Sequence, residues 1–204
     1  MVQRYLSVTD FDNILNNYSG RQIMHIPVTR TTSNISGEEI LSDGNLVLIK
    51  AHFIRTMQNW DFEKAGFFEK GDAVALTKFQ DSVTNNDKIY SDGTDITMNA
   101  IDGDATTISI TSATHGLSVG DEIVIANTTN YDGVYTVATV PTGVTLTIAD
   151  TDHNKDAETS GSIIKDYTKF RIKEAYNVPG VFDSTGQDTD MVYTSCNLFL
   201  EEGA

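Results

Sequence analysis

Lys169-Phe170-Arg171-Ile172-Lys173 alternates charged and apolar side chains without a break. Successive side chains of a β-strand point to opposite faces, so this stretch predicts a half-buried strand. A matching short strand lies far earlier, at Lys88-Ile89-Tyr90, bracketed by the turn formers Asn85-Asn86-Asp87 and Asp92-Gly93. Between the two the composition changes. From Asp95 to Ser162 there are ten acidic residues against one basic residue, Lys155, a net of −9, while the rest carries 19 acidic and 13 basic, a net of −6. The two strands are therefore expected to pair as neighbours across an insertion placed in a turn, where unpacked backbone tolerates added chain.

The same grammar extends outward on both sides. Gln22–Arg30 is β-rich, with Pro27 arguing for an edge strand. Asp43-Gly44 signals a turn before the long apolar stretch Asn45–Met57, which suits a buried strand, and Gly71-Asp72 precedes Ala73–Thr77. Asn177-Val178-Pro179-Gly180 reads as a turn, and Met191–Leu200 closes the chain as a strand. Inside the insert, Thr106–Thr111, Glu122–Ile125, Gly133–Val137 and Val144–Ile148 are four Thr-, Val- and Ile-rich strands, and Asp102-Gly103-Asp104 is a hairpin turn. Only one helix is predicted. Phe11, Ile14, Leu15 and Tyr18 fall at i, i+3, i+4 and i+7, with Thr9 or Asp10 to cap the start and Gly20 to end it. A helix that short is marginal alone and is expected to dock by this stripe onto the β structure or a neighbouring subunit. The fold class is mainly β: an antiparallel β-barrel or sandwich core (1–94 plus 163–204), one short N-terminal helix and a small inserted all-β domain (95–162).

Composition narrows the chemistry. The 204 residues, 39% hydrophobic and 21% charged, suffice for a proper core. No apolar run approaches the ~20 residues of a membrane span, and Met1–Tyr5 lacks the basic-then-apolar order of a secretion signal. With 14 Lys and Arg against 29 Asp and Glu, the net charge of −15 offers no basic footprint for nucleic acid. The single Cys196 excludes an intramolecular disulfide, and on a strand it reads as a small apolar side chain. His25, His52, His115 and His153 show no ligand spacing, and His115 reads as a structural loop histidine. Asp150–Glu158 has calcium-loop oxygens at positions 1, 3, 5 and 7. Lys155 stands where the sharp turn needs Gly, and Gly161 where a bidentate Glu belongs, so a solvated acidic loop is expected. No phosphate loop or nucleophile elbow appears. The expectation is a protein without catalytic residues, metal or cofactor.

Two stretches carry a resemblance. His115-Gly116-Leu117-Ser118-Val119-Gly120-Asp121-Glu122-Ile123-Val124-Ile125, with Tyr131-Asp132-Gly133-Val134-Tyr135-Thr136-Val137 and Val144–Ile148, resembles a small β module recurrent in structural proteins of tailed bacteriophages. Gly71–Lys78, Val83–Tyr90 and Thr168–Lys173 together look like the head-completion, or stopper, proteins of phage necks. That resemblance implies a structural virion protein of the head–tail connector, assembled in the host cytoplasm. It implies a homo-oligomeric ring of roughly six or twelve copies between the portal or adaptor and the tail, with the insert on its outer rim. DNA would pass through the lumen without specific binding, repelled by the acidic balance. The alternative is a tail terminator, or a tail or decoration protein whose insert binds a host surface glycan. Interface candidates are Phe11, Ile14, Leu15 and Tyr18 on the helix, with Trp60, Phe67 and Phe68 as aromatic anchors.

Overall fold

The computed structural model describes residues 8–17, 20–33, 38–55, 73–150, 155–182 and 188–201. The chain divides into two compact units, Met1–Ser91 with Thr168–Ala204, and Asp92–Tyr167. The first unit opens with α1 (Val8–Asn17), β1 (Arg21–Ile26), β2 (Val28–Thr32), β3 (Glu39–Asp43), β4 (Val47–Arg55), β5 (Ala73–Lys78) and β6 (Lys88–Ser91). The second supplies β7 (Thr94–Gly103), β8 (Thr107–Ser112), β9 (Glu122–Ala126), β10 (Gly133–Thr142), β11 (Thr145–Ala149) and β12 (Ser162–Lys165). The chain then returns to the first unit with β13 (Thr168–Phe182) and β14 (Asp188–Leu200).

Each unit is a closed barrel of antiparallel strands, ordered β1-β4-β5-β14-β13-β6 in the first and β10-β11-β8-β7-β12-β9 in the second. The expected junction holds: Lys169, Phe170 and Arg171 lie opposite Tyr90, Ile89 and Lys88. Six strands enclose a narrow interior, so large and small side chains must alternate to fill it. The first barrel is packed by Ile23, Ile49, Ile89, Phe170, Ile172 and Leu198, with the small Ala51, Ala73, Ala75 and Cys196 giving them room. The second has its own cluster, including Ile101, Ile110, Ile123, Ile125, Tyr131 and Leu146.

Several readings need correction. Thr9 and Asp10 lie inside α1, not ahead of it. Pro27 does not make its strand an edge. β1 is bonded on both sides, to β4 and β6, and Pro27 sits at the break where the chain leaves the barrel. Beyond it, β2 and β3 form a separate two-stranded ribbon. Asn177–Gly180 is no turn, because β13 runs through it paired with β14. The ladder is irregular on either side of Pro179, and such bulges are where a residue lacking an N–H is tolerated. Among the described residues the insert has six strands, two more than the sequence predicts; β7 and β12 carry its edges outward to Thr94 and Lys165.

Candidate functional site

A closed barrel has no unpaired strand edges, so open edges exist only where strands leave it. Among the described residues two do so in the first unit. The ribbon of β2 and β3 follows Pro27, and the β13–β14 hairpin continues past Arg171, the last residue of β13 that pairs with β6.

The root of the ribbon is held by one carboxylate. Asp87 and His25 are buried at 1% and 2% exposure, and His25 Nε2 lies 2.9 Å from Asp87 Oδ2. Thr84 N donates to the same oxygen at 2.8 Å, while Val28 N, the first amide of β2, donates to Oδ1 at 2.8 Å. Thr84 Oγ1 adds a donation to Oδ1 at 3.3 Å. Burial by itself would push the Asp87 carboxyl up, yet these bonds outweigh it and hold the group below the ordinary carboxylate range. Every partner is a structural donor from β1, β2 or the turn before β6. The pair is a joint between barrel and ribbon, and neither residue is among those lining the two grooves at the ribbon's root.

The ribbon itself is exposed along all five residues of β3, including Ile40 at 52% and Leu41 at 44%. Its charges pair across the strands or to the barrel: Arg30 with Glu39 at 3.2 Å, and Lys88 with Asp43 at 2.6 Å. Two grooves flank its root. The larger, about 550 Å³, is bounded by Val28 and Arg30 of β2, the turn Val83–Asn85, and Ala175 and Asn177 of β13. The smaller, about 360 Å³, lies among Leu41, Asp43, Lys88 and Arg171. Both grooves are open, not enclosed chambers of the kind that sequester a small substrate.

The sequence candidates divide. Phe11 and Leu15 are 3% and 1% exposed, and α1 packs on β4 and β14 of its own chain, so these two side chains are not available to another subunit. Ile14 is half-buried. Tyr18, Trp60, Phe67 and Phe68 lie outside the described residues, as does 151–154 of the acidic loop. Cys196 is fully buried, and burial pushes its thiol up to about 12, which removes the thiolate a nucleophile needs. Among the described residues no three His, Cys, Asp or Glu side chains gather to hold a metal ion. β-rich Gln22–Arg30 reaches into β2, but β3 escapes the sequence reading because Glu38-Glu39-Ile40-Leu41 fits no motif; its available signal is an apolar pair between acids just before the Asp43-Gly44 turn.

The familiar stretch of the insert proves to be a set of turn anchors. His115 is 2% exposed, receives the Leu117 amide on Nδ1 at 3.0 Å, and places Nε2 3.2 Å from the Thr142 carbonyl, to which it donates. Gly120 has φ +94°, in the left-handed region, and Asp121 accepts the Ser118 amide at 2.8 Å. Tyr131 is fully buried; its hydroxyl receives the Gly103 amide at 3.0 Å and donates to the Lys155 carbonyl at 2.9 Å. Glu158 accepts the amides of Thr129 and Asn130 at 2.7 and 2.9 Å. Among the described residues the chain forms two closed β-barrels, with the open-edged ribbon on the first unit. No protein-family model and no curated protein matches the chain.

Proposed function

We propose that this chain is a structural virion protein of the head–tail connector of a tailed bacteriophage, forming a ring between the portal or adaptor and the tail. The observation that carries the reading is the open-edged ribbon on an otherwise closed barrel, with Ile40 and Leu41 exposed on a strand that, among the described residues, is bonded along one side only. An exposed apolar edge is a template for strand addition by another chain, and a ring subunit needs such a surface. The resemblance of Gly71–Lys78, Val83–Tyr90 and Thr168–Lys173 to stopper proteins supplies the particular place in the virion. The excess of 29 acidic over 14 basic residues suits a channel wall that lets DNA pass without adhesion. A glycan-binding role for the insert finds less support, because Tyr131, an aromatic that could stack on a sugar, is wholly buried in hydrogen bonds.

Native mass spectrometry and electron microscopy of the purified protein, alone and mixed with portal rings of the same virus, test this reading. Rings seated on the portal are expected. Rings that join only the tail tube would move the assignment to a tail terminator, and a monomer that binds neither would end it.

A further inference from the structure

Residues 113–121 join β8 to β9 without forming a strand, yet they are tied to three other segments of the insert. The Ala113 and His115 amides donate to the carbonyls of Thr97 and Gly143, at 3.3 and 3.2 Å, and the Gly120 amide donates to that of Val137 at 2.9 Å. Leu117 belongs to the buried cluster of the second barrel, so the segment caps part of that core. Val119 on the cap and Val144 on the β10–β11 turn are left exposed, at 65% and 42%. The pin is His115, whose two ring nitrogens have opposite duties. The Leu117 amide can only donate, so Nδ1, 3.0 Å away, must be bare; the Thr142 carbonyl can only accept, so Nε2, 3.2 Å away, must carry the proton. One species meets both conditions, the neutral ring protonated on Nε2. The imidazolium carries a proton on each nitrogen. Inside the closed cap it would set Nδ1–H against the Leu117 N–H, donor against donor, at a residue buried from the water that could accept instead.

We infer that residues 113–121 are an acid-operated cap on the second barrel, held shut by the neutral His115 ring and released when that ring takes up a proton. Few charges surround it. Lys165 Nζ of β12 lies 3.2 Å from the His115 carbonyl oxygen, and its positive charge works against a protonated ring in the closed cap. Asp121, whose carboxylate accepts the Ser118 amide at 2.8 Å, acts in the opposite sense from the cap itself. Glu122 follows it and is bonded by the Tyr167 hydroxyl. The other partners of the cap, Thr97, Val137, Thr142 and Gly143, do not titrate. The open cap takes a proton that the closed one excludes, so lowering the pH drives opening. A freely hydrated histidine titrates at about 6.5, which places the change between about pH 7.5 and pH 5.5. Opening lifts Leu117 from the core and adds it to the apolar surface that Val119 already presents.

Hydrogen exchange of the full chain, read by mass spectrometry and corrected for the intrinsic effect of pH, tests the cap. Between about pH 7.5 and pH 5.5 the opening constant of peptides covering 113–121 should rise about tenfold, the factor set by a free histidine near 6.5. Strand β11 should keep its protection over the same range. His115→Asn retains an acceptor for the Leu117 amide but cannot take up the proton, and should show no such rise. A second measurement needs no variant. In wild-type protein with isotope-labelled histidine, nuclear magnetic resonance should find the His115 ring as the neutral Nε2–H tautomer for as long as the Leu117 amide keeps its native resonance. No rise in the wild type, an equal rise in His115→Asn, or β11 opening in step with 113–121 would overturn the cap. So would an imidazolium signal from His115 alongside a native Leu117 amide.

Discussion

Asp87 shows how much of this fold is carried by single side chains. One buried carboxylate receives His25, two backbone amides and a hydroxyl, and so fixes the end of β1, the start of β2 and the turn before β6 together. Replacing it by Asn removes the charge and one acceptor, leaving buried donors short of a partner. Asp87→Asn is expected to cost about 2–3 kcal/mol in denaturant unfolding. The pH dependence has a definite sign. The folded-state carboxyl lies below its ordinary value of 3.8, so its contribution is fully present above that value and is lost as pH falls through the folded-state value. Thermal melts of the wild type should therefore show an acid-side loss below about pH 4 that is reduced in Asp87→Asn; equal acid slopes would contradict this. Cys196 makes the opposite case of a reactive atom made inert. Fully buried and raised to about 12, it should resist alkylation at pH 8 in the native protein and react at once in denaturant, as mass spectrometry would show.

At the scale of elements, what was legible is what repeats. Strict alternation at Lys169–Lys173 and the bracketed Lys88–Tyr90 predicted two strands, and their pairing across the insert followed from composition alone. The stripe of Phe11, Ile14 and Leu15 likewise predicted α1, and a Cβ on Gly20 would sit 2.0 Å from the Leu15 carbonyl oxygen, consistent with its reading as the stop. The misses have local causes. β7 carries a register shift between Met98 and Ala100, which moves Ile101 out of phase with Ile96 and Met98 and hides the period of two. β12 has only four residues and follows Gly161, so it offered too short a window. Pro179 and Gly180 look like a turn, but a long hairpin absorbs them at a bulge. The ribbon was illegible because Glu38–Leu41 fits no motif and because β2, past Pro27, leaves the barrel for a separate sheet, its first amide held by Asp87, far away in sequence. Gly120 has open space around its missing Cβ, so only its φ of +94° resists substitution. Gly120→Val is expected to destabilise the insert by about 1–3 kcal/mol, measured by its thermal transition; a neutral result would mean that the turn reconforms.

For the whole molecule, the consequence of the topology is that the second unit is inserted in the chain between two adjacent strands of the first. Ser91 and Thr168 lie directly opposite each other in the β6–β13 ladder, so the chain leaves and re-enters the first barrel at neighbouring positions. On the insert's side, Thr94 and Lys165 face each other in the β7–β12 ladder, so its two ends also meet. Each barrel closes with its own strands, and each buried cluster draws only on residues of its own unit. Neither unit needs the other to complete a sheet. Replacing 92–167 by a two-residue Asn-Gly turn, the connection that suits adjacent antiparallel strands, should leave a folded first barrel. The excised 92–167, small enough to be of modest stability, should still unfold in one cooperative transition by circular dichroism and show dispersed amide resonances. An insoluble deletion product, or an insert without a thermal transition, would show that closure of the sheets is insufficient and that the two barrels fold only as one. If the deletion protein folds and still forms rings, self-assembly belongs to the unit that carries the ribbon; if it folds but remains monomeric, the acidic barrel takes part in the contact between copies.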